Sequence, residues 1–271
     1  MGNNSENIRV GDYFTNRITN KSALQCYGDV DNADYSGFDT ELDKYLNEKS
    51  ISEMIKVNKE ITRILDKFKI SIKVNMNILN NLVGNHLPET RNIAVGITKY
   101  LPEKYQKLVN QKALLEATSL HDIAKVIIPE NIINKPGKLN ESELEIMKEH
   151  ARLSYEMLKT TDLDKETLDL IKDHHHVTNP NNRKDETENI NLQILSISDI
   201  YSALREKRSY KKELSKEEAL AILHKDVESG KFAKIVYDAL VTYTENDEKE
   251  TPKAKWNIFK KLKQAQPVQS Y

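Results

Sequence analysis

A lone cysteine, Cys26, has no partner within the chain, so no internal disulfide supports the fold, and this usage suits a reducing cytoplasm. Eight glycines and seven prolines in 271 residues supply too little turn material for a β-rich architecture. No apolar run approaches the roughly 20 residues that a bilayer-spanning helix needs. The opening MGNNSENIRV lacks the basic-then-apolar pattern of a signal peptide, and Glu6 stands where a myristoylation motif wants Ser or Thr. A formal net charge of −1 gives no electrostatic case for a DNA, RNA or membrane partner. What is present is 38% hydrophobic and 31% charged residues, the balance of a globular chain with a heavily charged surface. The expectation is an all-α fold.

The first 50 residues are polar and weakly periodic, with Tyr13, Phe14, Tyr27, Tyr35 and Phe38 scattered through them; they read as an irregular arm or small appendage. From 51 to 83, apolar residues recur at helical spacing (Ile51, Met54, Ile55; Ile61, Ile64, Leu65, Phe68; Val74, Ile78, Leu82), as one interrupted helix or two. Their apolar face fits the core, with a protein partner or dimer surface as the alternative. Helices follow at 90–101 and 106–120. Residues 129–140 form a loop containing two prolines and Gly137, and Asn140 with Glu143 forms a capping pair that opens a helix through Lys159. Further helices are expected at about 164–176, 191–206, 216–229 and 231–244, with a polar loop after His176. The main domain then runs from 51 to 245, and 246–271 forms a basic tail carrying Trp256, Ile258, Phe259 and Leu262.

Five of the seven histidines fall in three places on these helices. His121-Asp122 ends ALLEATSLHDIAK; His150 lies in the stripe of Ile146, Met147, Ala151, Leu153 and Met157; His174, His175 and His176 close the next helix. Spacing of i+4 sets His174 over Leu170 and His175 over Ile171, on or beside a buried face. Asp199 sits in LQILSISDIYSAL, apolar around most of its circumference, where an ionised carboxylate is costly unless paired or bound to a metal. Imidazoles with carboxylates suit Fe, Mn, Zn or similar divalent ions and are too nitrogen-rich for Ca²⁺ or Mg²⁺ alone. The side chains of an adjacent His-Asp pair diverge, so each can serve a different ion, or the aspartate can bridge both.

Three segments carry a family resemblance: SLHDIAKVIIPENIINKPGKLNESELEIMKEH, IKDHHH and ILSISDIYSALREKRSYKK. Together, over about 85–240, they resemble the HD-GYP branch of the HD-domain phosphohydrolases, which hydrolyse cyclic dinucleotides. The resemblance implies an HD-domain helical bundle and a metal-activated hydroxide that opens a cyclic dinucleotide, cyclic di-GMP first, to a linear product. It implies two divalent ions, Fe or Mn before Zn, with His121, Asp122, His150, His174, His175 and Asp199 as ligands. Asp122 and Lys125 are then the catalytic residues. Lys125 is similar to the lysine that contacts the scissile phosphate, and Arg208 and Lys211 to residues that hold the substrate phosphates. The family has an upstream histidine ligand about thirty residues before the HD pair. Glu89 stands at that spacing and is preferred here over His86, three residues earlier. Asn85, a poor ligand, replaces the glutamate of trinuclear members, which argues for two ions.

The chain also departs from the pattern. HVTNPNNRKDETEN follows His175 where the family has Glu and a Gly-rich segment with Gly-Tyr-Pro. Ala124 replaces a glycine, and Ser202 stands where some members have Asp. The alternatives to a cyclic dinucleotide phosphodiesterase are therefore a degenerate member acting as a signalling or interaction module, and a nucleotide phosphohydrolase of different specificity.

Overall fold

The computed structural model describes residue 42 and residues 44–176, 189–206 and 213–250, with side chains to residue 246. Most of the expected N-terminal arm, the polar loop from 177, Arg208, Lys211 and the basic tail from 251 lie outside the described residues.

Regular structure among the described residues is helical. The first three helices are α1 (Glu48–Val57), α2 (Lys59–Lys67) and α3 (Met76–Asn81), which runs through a π-helical turn (Leu82–His86) into α4 (Leu87–Tyr100). The short α5 (Glu103–Gln106), then α6 (Gln111–Leu120), lead to a 3₁₀ turn (Ile123–Ile127) and the short α7 (Glu130–Ile133). The chain continues as α8 (Glu141–Leu158), α9 (Lys165–Asp173), α10 (Ile190–Arg205), α11 (Lys216–Glu228) and α12 (Lys234–Glu250).

Asparagine starts many of these helices. The side-chain oxygens of Asn47, Asn58, Asn75, Asn110 and Asn140 each accept from a backbone N–H of the first turn, of α1, α2, α3, α6 and α8 respectively. Asn140 and Glu143 complete the expected capping box, and Ser215 with Glu218 makes another at α11. These caps also explain why residues 51–83 are neither one helix nor two. Asn58 is extended and restarts the chain as α2, and Lys69, at φ 54°, turns it away before Asn75 starts α3. The expected loop at 129–140 contains one helical turn, α7, entered through Pro129.

Helix α4 is central, packed against α6, α10 and α12, while α9 lies between α6 and α8. Ile93, Ala94 and Ile97 of α4, Leu120 of α6, Ile194, Leu195 and Ile197 of α10, and Val236 and Leu240 of α12 are all buried. The approach of α12 to α4 requires Gly96, because the ring of Tyr243 occupies the space a β-carbon would take. From the N-terminal segment, Leu42, Tyr45 and Leu46 are buried in the same core, and Lys44 and Tyr45 bond to Asp162 beyond the end of α8. No helix of the described residues is long and apolar enough to cross a membrane.

Candidate metal centre

Six elements aim polar side chains at one point in this apolar core. His86 closes the π turn. His121 is the C-cap of α6, Asp122 starts the 3₁₀ turn, His150 lies within α8, His174 is the C-cap of α9, and Asp199 lies in α10. His86, His121, Asp122, His150, His174 and Asp199 are buried; His175 reaches the surface with its ring packed edge-on against His150, centroids 4.9 Å apart.

Three of the imidazoles are oriented by their own helices. Nδ1 of His121 lies 3.1 Å from the carbonyl of Thr118 and Nδ1 of His174 lies 2.7 Å from that of Ile171, while His150 makes the same bond to Met147. A carbonyl only accepts, so Nδ1 carries the proton and Nε2 presents its lone pair to the centre. Nδ1 of His86 instead lies 3.2 Å from the hydroxyl of Ser202 on α10. The carbonyl of His174 accepts in turn from Ser196, tying α9 to α10.

The inward atoms form two groups that meet at Asp122. Nε2 of His150 is 3.3 Å from Nε2 of His174 and 3.0 Å from that of His175. Oδ1 of Asp122 faces this trio, 3.1 Å from His150 and 4.0 Å from His174. Oδ2 faces the other way, 3.2 Å from Nε2 of His86 and 3.5 Å from that of His121. Oδ1 of Asp199 closes the second group at 3.1 Å from His86 and 3.6 Å from His121. Lys125, one helical turn past Asp122 with a side chain 18% exposed, bonds to the same Oδ2.

The electrostatics are those of a cation site. Burial opposes charge on Asp122, but Lys125 and the surrounding histidines hold its carboxyl well below the usual range; His121 and His86 do the same for Asp199. Burial and the neighbouring imidazoles keep His174 well below its ordinary value, and burial with His150 lowers His175 to about 4. Burial disfavours a charged His86, yet the adjacent carboxylates of Asp122 and Asp199 outweigh that and raise it to about 9. Nε2 of His86, Nε2 of His121 and Oδ1 of Asp122 are buried without a hydrogen-bond partner of good geometry. Orphaned buried polar atoms of this kind are rare and call for an explanation. Two sets, His150/His174/His175 and His86/His121/Asp122/Asp199, each bring their ligand atoms within 4.8 Å of one another. Nitrogen and carboxylate donors so gathered fit divalent transition ions.

Residues 73–234 match the HD domain family. The chain belongs to that family. Its HD-domain helices carry every residue of the centre, from His86 to Asp199, inside the matched range. Among similar proteins is a probable cyclic di-GMP phosphodiesterase of Vibrio cholerae serotype O1, 27% identical over 212 residues that cover 72% of this chain and 48% of the relative. The cyclic di-GMP phosphodiesterase response regulator RpfG of Xanthomonas campestris pv. campestris is 32% identical over 114 residues, 40% of this chain and 30% of that protein. The 3′3′-cGAMP-specific phosphodiesterase 1 of Vibrio cholerae is 30% identical over 135 residues, 48% of this chain and 31% of its own. The chain thus spans less than half the length of each of these relatives.

Of the residues singled out from the sequence, His121, Asp122, His150, His174, His175 and Asp199 come together, with Lys125 at the rim. Glu89 does not. It is exposed on α4, and His86 occupies the inward position that spacing had given to Glu89. His86 is buried at the end of the π turn, whereas Glu89, three residues on, faces outward. Spacing to the HD pair alone does not tell which of the two faces the centre. Gly84 in LVGNH is the one nearby sequence feature compatible with an irregular turn.

Proposed function

We propose that this chain is a metal-dependent phosphodiesterase that opens a cyclic dinucleotide, cyclic di-GMP first, to a linear product at a centre of two divalent ions, Fe or Mn before Zn. The observation that carries this reading is Asp122, with one carboxylate oxygen turned to each of two ligand groups. His150, His174 and His175 would hold one ion, His86, His121 and Asp199 the other, and Asp122 both. The upstream ligand in this reading is His86, not Glu89. Bound there, divalent ions supply Lewis acidity toward phosphoryl oxygens and an activated water.

The chain's own residues do the rest. The carbonyl-held imidazoles keep Nε2 unprotonated and aimed, so little reorganisation accompanies loading. The close packing of α6 and α10 buries these ligand atoms away from bulk water, which strengthens each charge interaction inside. Lys125, at the rim beside Asp122, is placed to hold a non-bridging oxygen of the scissile phosphate. Arg208 and Lys211 would hold further phosphate oxygens. The names of the relatives support a cyclic dinucleotide as substrate, and the single cysteine supports a cytoplasmic setting.

Turnover of cyclic di-GMP and 3′3′-cGAMP by Mn- or Fe-loaded protein, followed by product chromatography, tests the proposal. A linear dinucleotide product that disappears in Asp122→Ala is expected. Two bound ions with no turnover of either substrate would overturn the enzyme reading and leave a binding module.

A further inference from the structure

His86 differs from the other inward histidines in what lies behind its ring. His121, His150 and His174 each back onto a main-chain carbonyl, which tolerates one tautomer, whereas Nδ1 of His86 meets the Ser202 hydroxyl at 3.2 Å. A hydroxyl both donates and accepts. When Nδ1–H donates to Ser202 Oγ, the Nε2 lone pair is available to a metal. When Ser202 donates to Nδ1, the proton resides on Nε2, where the carboxylates of Asp199 (Oδ1 at 3.1 Å) and Asp122 (Oδ2 at 3.2 Å) attract it. The carboxylates that would share an ion with His86 therefore have a substitute for that ion, namely the Nε2–H of the same ring. The His150/His174/His175 group has no equivalent, because two of its three imidazoles are confined to the lone-pair-inward tautomer. Ser202 is 2% exposed and lies one helical turn beyond Asp199, so bulk water does not replace its hydroxyl.

We propose that Ser202 is a positioning residue that governs how firmly His86 holds its metal, and that it makes the ion at His86, His121 and Asp199 the readily exchanged member of the pair. The inference rests on the two-ion reading above. It assigns the two groups different roles: the imidazole trio retains its ion, and the His86 group exchanges its ion with the surrounding pool.

Release of Mn²⁺ from the fully loaded chain to a chromophoric chelator tests this. Wild-type protein should release two equivalents in two phases. Ser202→Ala removes one buried hydroxyl and should speed the fast phase by about tenfold, the lower end of what losing such a hydrogen-bond partner costs a metal site. The slow phase should not change. Ser202→Asp, which can only accept from Nδ1–H, should slow the fast phase. An Ala variant with both phases unchanged, or both accelerated alike, overturns the role of Ser202. A saturating stoichiometry below two in wild type overturns the two-ion reading itself, and the two failures are thus distinct.

Discussion

His150, His174 and His175 come from α8 and the end of α9, with two of the rings held by carbonyls and no carboxylate among them except the shared Asp122. His86, His121 and Asp199 come from a π turn, a helix C-cap and a helix interior, and the carboxylates there draw a proton onto His86. The nitrogen group is poised for a cation before one arrives, because His174 and His175 resist protonation. The carboxylate group must give up a proton to take a cation. Two neighbouring sites of similar composition can therefore answer pH and metal supply differently, and the cause lies in what stands behind each ring.

Removing the residue that joins the groups should have the largest effect. Asp122→Ala is expected to abolish loading of both ions and to lower turnover by at least about 10³-fold, since metal assistance is worth several kcal/mol; metal analysis and product chromatography check both. Next come substitutions within one group. His174→Ala should reduce bound Mn²⁺ from two equivalents to one and leave the pH dependence of the remaining ion intact. His86→Ala should leave the complementary ion, and equal loss of both ions in either variant would erase the distinction between the groups.

A pH series sharpens the contrast without mutation. In the metal-free protein His86, raised from 6.5 to about 9, keeps its proton through neutral pH. Affinity at its group should climb with pH by up to about tenfold per unit until pH nears 9, then level off. The same raised value stabilises the metal-free fold fully below the ordinary histidine range, and this contribution fades as pH rises through about 9. His175, at about 4, adds no such dependence to the nitrogen group until the solution becomes distinctly acid. Mn²⁺ titrations between pH 6 and 9 read the two slopes directly. The smallest effect is expected from Gly96→Ala on α4, the helix that continues from His86. Contact with Tyr243 should destabilise the fold by about 1–3 kcal/mol in denaturant titrations while both ions still bind.

Most of the centre was legible in the sequence because regular helices obey a fixed period. His150 and Asp199 interrupt apolar stripes that a helix must bury, and a polar group there requires a partner. His174 follows from Leu170 by the same rule. Asn140 and Glu143 marked the start of α8 by a side-chain bond local enough to be read from four residues. Reading failed where the period changes. Glu89 stands at the spacing the family resemblance implies, but chain spacing does not show which side chain faces inward, and the π turn at Leu82–His86 turns His86 to the centre. The interruption expected within 51–83 falls at Asn58, where the apolar spacing of Ile51 to Leu65 continues across the break and the extended backbone and the cap locate it.

The bonds from His121 to Thr118 and from His174 to Ile171 also occupy carbonyls in the last turns of α6 and α9, which would otherwise have no helical partner. In the proposed centre, holding an ion and preventing those helix ends from fraying would thus be one task performed by one side chain. An imidazole that swung away to release its ligand would also uncap its helix, so ion loss and local unwinding would share a barrier. The lifetime of a loaded centre would then depend on how rarely α6 and α9 loosen at their tips as well as on the metal–nitrogen bonds.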